Sequence, residues 1–197
     1  LDAVMIAHNE GRYIERAVSS IWRFVRPERI VLIADACTDR TVEIAERLGV
    51  EVFEEENRHI GRTMRSGLEK ADGRWVFFSP GDVEIVEDVQ PLRELAVGDV
   101  FAVVGRVMHV CGCCWRETHP NRRQPWGAPF LCSILDRFFV LSVPGLSEKR
   151  SNEEKLICSY AFSRGRRLVF DDSRIYARHY FDVRSPIGAL AKSRLAG

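Results

Sequence analysis

The residues best suited to chemistry stand where an apolar run stops. Trp75 to Phe78 is hydrophobic throughout, Ser79-Pro80-Gly81 interrupts it, and the first ionisable group beyond is Asp82, with Glu84 close behind. A buried strand whose C-terminal end opens into a site reads this way, because parallel strands are apolar on both faces and ligands collect beyond their carboxyl ends. A carboxylate placed there can hold a divalent cation, and the cation can hold a diphosphate. Taken alone, Phe77–Glu84 fits a plain turn with a solvated acid better, since Pro, Gly and Asp are turn residues, and it is the rest of the chain that reverses this.

Three other stretches have the form needed to position such a group. Ala3–Ala7 is a short apolar run ending in His8-Asn9-Glu10-Gly11, Ile30–Ala34 ends in Asp35-Ala36-Cys37-Thr38-Asp39, and Val50–Phe53 runs into Glu54–His59. Between them lie helical segments. Tyr13–Phe24 places Ile14, Ala17, Val18, Ile21 and Phe24 on one face; a second helix, which Thr38 or Asp39 can cap and Gly49 can end, runs through Leu48; a third spans about Ile60 to Lys70. Strand and helix alternate, and polar residues gather after each strand. The pattern predicts an α/β, mostly parallel, doubly wound sheet flanked by helices, with a site along one edge. No Gly-x-Gly-x-x-Gly follows the first strand, so the dinucleotide fingerprint is absent.

With 197 residues, 46% of them hydrophobic, the chain has the make-up of one domain around one sizeable core. Its 29 basic and 28 acidic side chains nearly cancel, which argues against the broad positive field of a nucleic-acid or membrane-surface binder. An anionic ligand must then be met locally, and Arg58, His59, Arg62 and Arg65 form a basic cluster near the mouth. No apolar run approaches a membrane span and the first residues lack the regions of a signal peptide, so the expected location is cytoplasmic.

In order and spacing, Ala7-His8-Asn9-Glu10 with Tyr13-Ile14, then Ala34–Thr41, then Asn57–Leu68, then Phe78–Asp82 resemble the nucleotide-sugar half of the family 2 glycosyltransferases. The second half continues the likeness. Gly127-Ala128-Pro129-Phe130 is similar to the segment lining the acceptor side, Asn152-Glu153-Glu154 to the family's Glu-Asp pair, and Arg174–His179 to its closing strand with a terminal His. Two positions depart from the family's forms: Pro80 stands at the first acid of the Asp-x-Asp, and Glu154 replaces Asp at the base position.

The resemblance implies the GT-A fold in a single domain, with residues 1–90 as the nucleotide-sugar half, 91–184 as the acceptor half and 185–197 as a tail. It implies an inverting transfer of a sugar from a UDP- or GDP-linked donor to an acceptor hydroxyl. Asp82 and His179 would hold Mn or Mg, and Glu154 would be the general base with Glu153 as its fallback. Asp35 would accept from the nucleobase, Ala7 and Asn9 would wall that pocket, Glu10 and Gly81 would belong to the donor site, and Arg62 would face the diphosphate or base. Simpler roles stay open: Asp35 or Asp39 as a helix cap, His179 as a core or surface histidine, one of Glu153 and Glu154 as a helix-start acid, and the arginines as a solvated face. A degenerate domain that binds a nucleotide-sugar or a partner without catalysis is the alternative to an active transferase, and a nucleotidyltransferase on a related sheet is a weaker rival.

Cys111, Cys113 and Cys114, with His109 and His119, invite a zinc reading, but Cys-x-Cys-Cys is not the Cys-x-x-Cys knuckle and no second pair follows. Cys132 and Cys158 read as core thiols. Glu117–Pro129 reads as a loop that could serve as an acceptor lid.

Overall fold

The computed structural model describes residues 1–111, 114–118 and 130–180. Among the described residues nine strands form one sheet: β1 (Asp2–Ala7), β2 (Ile30–Asp35), β3 (Glu51–Glu55), β4 (Trp75–Pro80), β5 (Val83–Ile85), β6 (Val100–Cys111), β7 (Cys114–Thr118), β8 (Ser133–Asp136) and β9 (Arg167–Tyr180). They lie in the order β3-β2-β1-β4-β8-β6-β9-β5, with β7 paired to β6 off this path. The first four strands are mutually parallel, as the alternating pattern predicts. Beyond them β8 runs antiparallel to both β4 and β6, β6 and β9 run parallel, and β5 and β7 are antiparallel additions. The sheet is therefore mixed, which corrects the expectation of a mostly parallel one. The reason is that β8 has only four residues, Ser133 to Asp136, all of them buried, and so lacks the one-sided alternation that often betrays an antiparallel strand.

Helices α1 (Ile14–Phe24), α2 (Thr41–Arg47), α3 (Ile60–Lys70), α4 (Gln90–Leu95), α5 (Arg137–Leu141) and α6 (Glu153–Ser163) cover the two faces. Ala3, Met5 and Ala7 of β1 join a core with Ile14, Val18 and Ile21 of α1, Ile44 of α2 and Leu92 of α4. The intervening Val4 and Ile6 join a second core with Met64 and Leu68 of α3, Val140 of α5 and Ile157, Cys158 and Ala161 of α6. Period-two alternation thus divides the apolar residues of one strand between two cores. Among the described residues no helix is long and apolar enough to cross a membrane.

Three boundaries differ from the sequence reading. β4 continues through Ser79 and Pro80. The amide of Gly81 donates to Ile6 of β1, so the position of Pro80 faces β8, whose ladder with β4 ends at Phe78, and its missing N–H leaves no gap in the sheet. Glu117 and Thr118 belong to β7 and not to a loop. The closing strand begins at Arg167, well before Arg174.

The N-terminus of α3 rests against the turn at Leu146–Glu148. The amide of Gly61 donates to Lys149 O at 3.0 Å, and a Cβ on Gly61 would fall 1.9 Å from the carbonyl oxygen of Leu146. Because the clash is with backbone, Gly61→Ala is expected to lower stability by about 2 kcal/mol. Urea unfolding with an unchanged midpoint would show that the turn yields instead.

Candidate active site

The carboxyl ends of β1, β2 and β4 open on the same side of the sheet, as parallel strands require, and the loops beyond them hold unusual backbone. Asn9, Ala36 and Arg58, after β1, β2 and β3, all have φ between 51° and 58°, as does Asn152 just before α6. Such positions persist only where their surroundings determine them. Here hydrogen bonds do so. Asn9 Oδ1 accepts from the amides of Thr38 at 2.7 Å and Asp39 at 3.3 Å, and His8 Nδ1–H donates to Asp35 O at 2.6 Å. Asp39 accepts from the amides of Gly11 (2.8 Å) and Thr41 (3.0 Å) and from the Thr41 hydroxyl (2.5 Å). Burial opposes its ionisation, but these bonds hold its carboxyl below the ordinary range. Asp39 therefore joins the β1 loop to the first residue of α2, while the cap position itself falls to Arg40.

Asp35 is buried at the end of β2. Its Oδ1 accepts from the amide of Arg58 (3.0 Å) and its Oδ2 from the Thr63 hydroxyl (2.8 Å), so it fixes the loop leading into α3. Each oxygen keeps a further lone pair for an additional donor. Ala7, also buried, lies beside Gly81. A Cβ on Gly81 would approach Ala7 Cβ at 3.0 Å, Ile14 Cδ1 at 3.2 Å and Glu10 Cβ at 3.4 Å, so glycine lets the chain turn tightly against β1 and α1.

That turn delivers Asp82. Its carbonyl accepts from Tyr180 N, and its Oδ2 lies 2.9 Å from His179 Nε2. The side chains are 17% and 19% exposed, sheltered yet reachable. Two donors in neighbouring positions of an octahedral shell with bonds of about 2.1 Å lie about 3 Å apart. The pair has that spacing and a suitable mixed donor set for Mn or Mg, so these two side chains could hold the cation with diphosphate and water completing its shell. Among the described residues no three His, Cys, Asp or Glu side chains converge as a metal cluster. Glu10 lies nearby, and burial, with the charges of Asp82 and Asp39, pushes its carboxyl up to about 8.

His109, two residues before Cys111 on β6, also meets the closing strand. Its Nδ1 is 3.0 Å from His179 Nδ1. Burial, followed by the neighbouring His179, pushes it down to about 4. Nothing in a separation of 70 residues announces this contact.

Glu153 and Glu154 open α6. Glu154 precedes buried Cys158 by one helical turn, and both acids share the stripe of Ile157, Cys158 and Ala161. Burial, and then the charge of Glu154, raises Glu153 to about 7. The loop before them is tied to the start of α3, since Arg150 Nε donates to His59 Nε2 at 3.2 Å. Of the arginines, Arg62 is exposed, whereas Arg65 pairs with Glu69 and donates to Leu141 O, a structural role. Cys132 and Cys158 are buried free thiols, as read from sequence. The side chains of Cys111, Cys113 and Cys114, His119, most of the acceptor segment before Phe130 and the tail lie outside the described residues. A cavity of about 340 Å³ lined by Asp2, Asp72, Arg74, Trp75 and Arg93 sits at the opposite strand ends, away from these groups.

A mixed sheet covered by helices, with an Asp–His pair beyond its strand ends, has the architecture of the GT-A glycosyltransferases. Similar solved structures include S. aureus TarS 1-349 in complex with UDP, at 18% identity and TM-score 0.69 over 92% of this chain and 61% of that one. GalNAc-T7 with UDP, GalNAc and Mn2+ is similar at 18% identity and TM-score 0.72 over 91% of this chain and 44% of that one. TarS 1-349 in complex with UDP-GlcNAc is similar at 18% identity and TM-score 0.69, over 91% and 58%. The chain thus spans less than two thirds of each of these proteins. No curated protein sequence matches it significantly. The chain belongs to glycosyl transferase family 2, which it matches over residues 2–172.

The raised Glu153 has a consequence for folding. Between its ordinary value of 4.5 and about 7, the folded chain binds more protons at this site than the unfolded one. Stability from this group is complete below pH 4.5 and is lost as pH rises through 7. Thermal unfolding of Glu153→Gln should therefore show a Tm advantage over the wild type that grows across that window. Parallel curves would contradict the assignment.

Proposed function

We propose that the chain catalyses metal-assisted transfer of a sugar from a UDP-sugar to an acceptor hydroxyl, inverting the anomeric carbon. The observation behind this reading is the contact between Asp82 and His179 at the strand ends of a family 2 chain. A bound Mn or Mg would neutralise the charge that develops on the departing diphosphate. The ligands of the similar structures, UDP, UDP-GlcNAc and Mn2+, favour UDP over GDP.

The chain's own groups do the rest. Asp35 and the loop it fixes hold the nucleobase beside Ala7 and Asn9, Glu10 and Gly81 shape the floor under the diphosphate, and exposed Arg62 meets its charge. Burial, and after it the neighbouring Glu154, raises Glu153 to about 7, which makes it the poorer base of the two. Glu154 takes the hydroxyl proton as the acceptor oxygen bonds to the anomeric carbon and the bond from that carbon to the diphosphate breaks, releasing UDP. Attack opposite the leaving group inverts the centre.

Calorimetric titration of UDP and GDP, each with and without Mn2+, tests the donor site. UDP should bind more tightly with Mn2+, and Asp82→Ala should remove that gain. Glu154→Gln should keep UDP binding and lower UDP release from a panel of UDP-sugars at least about 100-fold, with Glu153→Gln much less affected. No nucleotide binding, or full turnover in Glu154→Gln, would overturn the proposal.

A further inference from the structure

We infer that His109 is a positioning residue that holds the imidazole of His179 in the orientation needed to bind a cation with Asp82. This rests on reading Asp82 and His179 as the metal-binding pair. The parallel register of β6 and β9 sets His109 directly opposite His179, and on the other side of β9 Val83, next to Asp82, pairs with His179. His179 is thus flanked by the Asp82 turn and by His109. The two rings meet edge to face with centroids 4.9 Å apart, and the polar contact runs from Nδ1 to Nδ1 at 3.0 Å. His109 meets the nitrogen of His179 that does not contact Asp82, so it is placed to orient the ring and not to act as a third ligand.

The tautomers follow. A neutral imidazole bonded to a metal through Nε2 carries its proton on Nδ1, and metal-binding histidines usually give that N–H to a carboxylate, a carbonyl or water. Here the acceptor is Nδ1 of His109, whose own proton then sits on Nε2. A second imidazole orients His179 without adding a further carboxyl group beside Asp82, Glu10 and Asp39. The register that creates the pair is itself built in. β6 and β9 pair irregularly at Gly105, Arg106 and Val107, and only beyond these shifts do Val107–Val110 run in step with Ala177–Tyr180. A slip of one residue would turn one ring to the other face.

The test is Mn2+ affinity measured by electron paramagnetic resonance at saturating UDP, with circular dichroism as the check on folding. His109→Leu should weaken Mn2+ binding about 10- to 100-fold, while UDP binding without metal stays as in the wild type. His109→Asn, whose amide oxygen can stand near the Nδ1 position, should recover most of the loss. Wild-type Mn2+ affinity in His109→Leu would overturn the inference, as would a folded His109→Asn no better than His109→Leu. If the wild type with UDP holds no Mn2+, the metal reading falls and this inference with it. If Asp82→Ala loses Mn2+ and His109→Leu does not, only the role of His109 falls.

Discussion

The way the chain leaves β4 governs the rest of the mouth. Gly81 turns against β1 and α1 where a side chain would strike Ala7 and Ile14, and its amide closes onto Ile6. The next residue is then committed at both ends: the Asp82 carbonyl takes the amide of Tyr180 and the carboxylate meets His179. One tight turn therefore fastens the parallel half of the sheet to the strands that complete it. Without it, the two side chains at the heart of the site would belong to unrelated strand ends.

The three acids around this turn show how one small region stabilises several carboxylates differently. Asp39 is ionised and takes its stabilisation from two amides and a hydroxyl. Glu10, more buried and close to two negative groups, holds its proton to about 8. Asp82 keeps an imidazole on one side and remains reachable. A carboxylate held by amides supports architecture, whereas one beside an exchangeable imidazole is available to a ligand.

Much of the frame was legible because it depends on local periodicity. The apolar runs at β1, β2 and β4 and the helical spacing of α1 and α3 follow from burial of successive or staggered side chains, and Cys132 and Cys158 sit in the core as their apolar neighbours suggest. The short elements were less visible. α4, α5 and β5 have too few residues to display a period, and only the later part of the long β9 reads as the closing strand, its pairing with β6 being interrupted between Gly105 and Val107. Strand direction was hidden as well, since β8 buries every side chain whichever way it runs.

By itself the sequence determined which residues would be buried and where polar loops would follow apolar strands, because both depend on side-chain chemistry along a few neighbouring positions. It also held the ordered motifs that mark the family. Only the tertiary structure decided the mixed direction of the sheet, the binding of Asp35 to the loop before α3, and the row of Asp82, His179 and His109. The row depends on strand register between segments 70 to 97 residues apart, and register is set by bulges and closures that no local spacing records.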